Sequence, residues 1–142
     1  MTDTRQDFYR FHNGEKAPLP FASEEYGARL TGLRGIMAAR GVTAAVLTSM
    51  HNIAYYSGFL YCAFGRPYAL VVTATDSVVI GAGIDAGQPC RRCHGDAITY
   101  SDWRRDNFWR AVVHVAGQGA HVGIEGDHLT LIQRGKLDGF LS

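Results

Sequence analysis

The residues best suited to chemistry stand together at Phe64-Gly65-Arg66-Pro67, inside the stretch SMHNIAYYSGFLYCAFGRPYALVVT from Ser49 to Thr73. An arginine guanidinium can grip a carboxylate through two parallel N–H bonds. Pro67 disfavours the α region for Arg66 and keeps it extended or in a turn. Gly65 opens backbone conformations closed to other residues, and Phe64 offers an apolar wall or a π-face to a cation. Together they suit a small zwitterion with an acid at one end and a delocalised cation at the other. In the plain alternative, Arg66 is a solvated turn residue and Phe64 fills core. The nearby rings of Phe59, Tyr61 and Tyr68 need cover from the domain's own core, a partner chain or a ligand, because connecting segments are normally polar.

Two other constellations could carry chemistry. Cys90-Arg91-Arg92-Cys93-His94 has the spacing of a haem c attachment site. That chemistry belongs outside the cytoplasm, and MTDTRQDFYRF is no export signal. A redox pair usually opens a helix after a strand, whereas this one follows Pro89 and reads as a helix end. Glu125-Gly126-Asp127-His128 gathers two carboxylates and an imidazole, and reads as a strand-end turn in which Asp127 caps the last helix. His12, His51, His114, His121 and His128 form no HExxH, so no metal and no cofactor is expected. Walker loops, GxSxG elbows and GxGxxG turns are missing.

The bounds are those of one globular domain: 142 residues, 46% hydrophobic and 19% charged. A formal charge of +1 with scattered basic residues argues against nucleic acid as a partner. No apolar run approaches the roughly 20 residues of a membrane span, so a cytoplasmic location is expected. Three cysteines, an odd number, argue against a disulfide framework.

These side chains must be held by a fold, and the periodicities predict one. Residues 1–22 read as an arm, disordered or laid across a neighbour, and 23–142 as the domain. A helix is expected from Ser23, as N-cap, to Arg40, with Tyr26, Leu30, Leu33, Ile36 and Met37 inward and Gly41 ending it. Val42–Thr48 follows as a buried strand, and His51–Tyr56 as a short turn or helix led by Asn52. Tyr68–Thr73 and Ser77–Gly81 read as an antiparallel hairpin. A short helix over Asp85–Arg92 and a strand at Ile98–Tyr100 come next. Then follow a helix starting at Asp102 or Arg105, a strand at His121–Glu125, and a helix over Leu129–Leu141 interrupted by Gly135 and Gly139. The sum is an α/β domain with a mixed sheet flanked by helices.

HNIAYYSGFLYCAFGRPYALVVT, IDAGQPCRR, YSDWRRDNFW and GIEGDHL followed by RGKL are collinear from Tyr26 onward, and they resemble the amino-terminal domain of the creatinase family. HNIAYY also resembles the wider prolidase and aminopeptidase P relatives. Gly58, Ala63 and the paired cysteines depart from the pattern. The resemblance implies a ribonuclease H-like fold, a homodimer, and a separate carboxy-terminal "pita-bread" domain that carries catalysis and is absent here. It implies that this domain caps a small guanidino or amidino acid, with Arg66 on the carboxylate and Phe64 against the guanidinium. No catalytic residue is then expected in this chain, which alone would be inactive. The alternatives are a metal-dependent prolidase-like peptidase and a stand-alone interaction module. Asp102–Trp109, rich in charge and aromatics, is a candidate subunit contact.

Overall fold

The computed structural model describes residues 4–61 and 65–142. Its elements run β1 (Phe8–Tyr9), α1 (Ser23–Ala39), β2 (Ala44–Leu47), α2 (Met50–Ser57), β3 (Ala69–Thr73), β4 (Ser77–Ala82), a 3-10 turn at Gly83–Asp85, α3 (Gln88–Arg91), β5 (Asp96–Tyr100), α4 (Asn107–Ala116), β6 (Val122–Ile124) and α5 (Leu131–Leu141). The strands form a mixed sheet in the order β1-β5-β4-β3-β2-β6, with β2–β6 and β4–β5 parallel and the other pairs antiparallel.

Both faces of the sheet are covered, which is why its central strands are apolar throughout rather than alternating. Val46, Ala69, Val71, Val78 and Ile80 point towards α4 and α5, where Phe108, Trp109, Val112 and Leu137 meet them. The intervening Ala45, Leu47, Leu70, Val72 and Val79 point the other way, onto Leu30 and Met37 of α1 and Ile53 of α2. The hairpin is as expected, with Leu70 opposite Val79 and Val71 opposite Val78.

Several expectations are corrected at the ends of elements. Ala22, not Ser23, is the N-cap of α1 and makes no side-chain bond there, although Glu24 and Glu25 do fill the first turn. The buried stripe of α1 is Tyr26, Leu30 and Met37, while Ile36 is exposed, because it lies about 100° around the helix from Met37. Ser49, not Asn52, starts α2: its hydroxyl accepts from the Asn52 N–H. Thr130, not Asp127, caps α5 through a reciprocal capping box with Gln133. That helix continues unbroken through Gly135 and Gly139.

The first helical residue of α4 is Asn107, because Asp106 adopts a left-handed φ of 66° and cannot be part of it. Residues 4–22 lie along the edge of their own sheet. Phe8 and Tyr9 pair with Tyr100 and Thr99, and the ammonium of Lys16 donates to the carbonyls of Cys93 at 2.9 Å and Gly95 at 2.8 Å.

Gly58 ends α2 at φ 76°, and a Cβ there would stand 2.8 Å from the Tyr26 hydroxyl. The site demands glycine twice over, by backbone conformation and by space. Gly58→Ala is expected to cost about 1–3 kcal/mol. In a thermal melt that is a fall on the order of 5–10 °C; an unchanged melting temperature would show that the turn relaxes freely.

Candidate functional site

The carboxyl ends of β2, β4, β5 and β6 and the start of β3 share one rim of the sheet, since β3 runs against its neighbours. Ligands of open α/β sheets collect outside such strand ends. A cleft of about 530 Å³ opens on this rim, between the start of β3, the β5–α4 connection and the first turns of α5. Arg66, Asp102, Arg105, Asp106, Trp109 and Lys136 are among its lining residues. A second hollow adjoins it across Pro67 and Trp109, reaching Thr48 and His128.

Arg66 stands at the mouth of the cleft with its side chain 41% exposed. Gly65, at φ 83°, turns the chain just before it. The Tyr100 hydroxyl donates to the Pro67 carbonyl at 2.6 Å just after it, so the turn is tied to the end of β5. The Tyr100 hydroxyl is held above its ordinary pKa, first by burial and then by the Asp102 charge, and it remains a donor. Arg66 Nη1 donates to Asp102 Oδ2. That hydrogen bond, followed by the charge of Asp102, raises the pKa of the guanidinium further.

Asp102 follows Ser101, which Asn107 Nδ2 secures by bonds to its carbonyl at 3.0 Å and its hydroxyl at 3.2 Å. Lys136 Nζ meets Asp106 Oδ1 at 2.9 Å, and Arg104 lies 3.8 Å from Asp7. Four cationic and two anionic side chains line the cleft, an excess of positive charge suited to an acid.

Phe64 lies outside the described residues. The flanking rings are covered by the domain's own core. Phe59 and Tyr68 are buried, Tyr61 stacks on Phe59 with centroids 5.9 Å apart, and Tyr61 meets Tyr68 edge-on at 4.9 Å. This aromatic clasp holds both ends of the segment that carries Arg66.

The remaining motifs resolve into structure. Cys93 is 2% exposed, and burial pushes its thiol up to about 11, which leaves it a poor nucleophile. The His94 ring stacks on Tyr26 at 5.5 Å, and the backbone N–H of His94 donates to the Ser57 carbonyl at 2.6 Å. Trp109 and Phe108 are core residues at 4% and 3% exposure, not surface anchors. Trp103 instead holds the amino-terminal segment, donating to the Gln6 carbonyl at 2.9 Å beneath the Arg5 guanidinium.

Glu125 is a clip between strand and helix. It accepts from the backbone N–H groups of Thr48 at 2.5 Å and Ser49 at 2.9 Å, from Asn52 Nδ2 at 2.6 Å, and from the Ser49 hydroxyl. Sequence reasoning missed Asp102 as the partner of Arg66. The available signal was its position just past a strand, at the carboxyl end where such sheets carry function.

Among the described residues no three His, Cys, Asp or Glu side chains gather as metal ligands would, and no helix is long and apolar enough to cross a membrane.

The Creatinase/Prolidase N-terminal domain family matches residues 29–139. The creatinase of Bacillus sp. (strain B-0618) is 46% identical over 135 residues, covering 92% of this chain and 33% of that protein. The chain thus spans about a third of the length of that relative. Among solved structures, the N-terminal domain of an X-Pro dipeptidase from Streptococcus pyogenes superposes with a TM-score of 0.70 at 20% identity, covering 80% of this chain and 87% of that one. The prolidase of Pyrococcus horikoshii gives 0.60 at 14% identity, covering 80% and 30%. At these identities the structural neighbours speak for the fold alone.

Proposed function

Because the chain belongs to the Creatinase/Prolidase N-terminal domain family, we propose that it is the amino-terminal, substrate-capping and dimerisation domain of a creatinase-type amidinohydrolase, which converts creatine and water to sarcosine and urea. The observation that carries the reading is 46% identity to a creatinase in a chain that presents Arg66 at the mouth of an electropositive cleft. In this reading Arg66 grips the carboxylate of creatine, and Phe64 walls the methylated guanidinium. The gain is orientation: an acid anchored at one end holds the amidine carbon where water can attack it. The general base and acid come from a carboxy-terminal domain, and the cleft is completed by a second copy of the protein.

The neighbours that are dipeptidases by name keep a second reading in view, the same capping role in a prolidase-type peptidase. The full-length protein decides between them. Urea and sarcosine released in equal amounts from creatine, by the full-length protein and not by the 142-residue chain, is the expected result. Cleavage of Xaa-Pro dipeptides with no turnover of creatine would replace this reading by the second. Urea release by the 142-residue chain alone would refute the capping role.

A further inference from the structure

We propose that Asp102 is the resident counter-ion of Arg66, and that an acid ligand binds by exchange, taking the guanidinium over from Asp102. The proposal rests on the reading of Arg66 as an acid-binding residue and adds what that residue does before the ligand arrives. Nη1 of Arg66 donates to Asp102 Oδ2, while Nε and Nη2 make no hydrogen bond among the described residues. A guanidinium has five N–H donors, and a carboxylate seated in its fork takes two at once. Asp102 therefore holds the arginine at one point and leaves a fork edge open.

The backbones on both sides are fixed. Pro67 is tied to Tyr100 at 2.6 Å and Ser101 to Asn107 at 3.0 Å. The two charged side chains are solvated, at 41% and 52% exposure, and are free to turn within that frame. Magnitudes favour exchange over a permanent lock. An exposed ion pair of this kind amounts to a factor of about five or less, so a ligand that takes two N–H bonds and gains contacts at its other end displaces it. Once displaced, the Asp102 carboxylate has a second guanidinium, Arg105, lining the same cleft. The pair thus keeps Arg66 aimed along the cleft while setting a threshold: an anion that offers a single contact gains little over the aspartate already there.

The sign of the effect separates a competitor from an orienting clamp. A like charge about 4 Å from a bound acid disfavours it by about fivefold in bulk water and by more where the site is covered. Asp102→Asn in the full-length enzyme is therefore expected to lower KM for creatine by about three- to tenfold at low ionic strength. The gain should shrink as salt screens the charge, and the change should fall on KM rather than on kcat. In an Arg66→Ala background the gain should vanish, since the two residues act as one unit. As a readout apart from turnover, phenylglyoxal should modify Arg66 faster in the Asp102→Asn protein, followed by peptide mapping.

An unchanged or raised KM in Asp102→Asn, with Arg66→Ala still impaired, would overturn the exchange and leave the reading of Arg66 standing. An Arg66→Ala enzyme with normal KM would overturn both.

Discussion

Replacing Arg66 by alanine in the full-length enzyme is expected to raise KM for creatine by a factor between about thirty and several thousand, that is by 2–5 kcal/mol. The range follows from cover. In the chain by itself the guanidinium is 41% exposed, and an ion pair in that setting contributes about 1 kcal/mol or less. The larger figure requires another polypeptide to close over the cleft, so that the carboxylate left behind in the variant is buried without a partner. The size of the loss therefore reports the assembly as well as the residue. A loss under about 1 kcal/mol would mean an open site with no capping subunit, and a KM within twofold of wild type would reduce Arg66 to a turn residue. Arg66→Lys should recover little, because an ammonium cannot offer the planar fork. Steady-state kinetics on the two variants and the wild type, at fixed ionic strength, checks each step.

The legible parts of this molecule were those that local chemistry decides. The apolar run at Ala69–Thr73, the return at Ser77–Ala82 and the short turn between them mark a hairpin within one local stretch. Arg66 was legible as a turn residue because its glycine and proline neighbours constrain the backbone before any tertiary contact forms. Its partner was not, since Asp102 lies 36 positions along the chain, and only the parallel pairing of β4 with β5 brings the end of β5 to the start of β3.

The same holds for residues 4–22. Their composition lacks a periodic apolar pattern, so nothing local tells a strand edge from a disordered arm; the free edge of β5 supplies the register. Asp106 defeated the reading of α4 by taking a positive φ, which an aspartate tolerates and which composition does not reveal. At the start of α5 the threonine and glutamine of a capping box were plain to see. Asp127, beside Glu125, offers a competing cap in the sequence, and only the tertiary fold, which takes Glu125 to α2, separates the two.

Glu125 shows what that carboxylate does instead, and it carries the second large expectation. Val46 of β2 lies beside Ile124 of β6, so the residues just past these strands meet, and Glu125 reaches over to the first turn of α2. Four donors converge on its two oxygens. Two are backbone N–H groups at the helix start, which would otherwise lack partners. Burial alone would raise the carboxyl pKa, but the bonds from Ser49, Asn52 and Thr48 outweigh it and hold the value below the ordinary 4.5.

Glu125→Gln keeps the volume but removes the charge and turns an amide NH2 towards groups that are already donors. The expected loss is about 2–4 kcal/mol, read as a lower denaturant midpoint at unchanged slope. Because the folded-state pKa is depressed, the ionised clip contributes fully above 4.5 and fades as pH falls through the folded value. The gap between wild type and variant should therefore be constant from about pH 5.5 to 8 and close in acid below about pH 4. Equal stability at neutral pH, or a gap of the same size at pH 3, would show that the four bonds are incidental. The consequence reaches the cleft. Glu125 fixes the beginning of α2, Gly58 fixes its end, and the segment that leaves Gly58 is the one that returns through Arg66 to β3. A loosened clip should therefore blur the aim of the guanidinium before the domain unfolds, and KM should rise in Glu125→Gln under conditions where the protein is still fully folded.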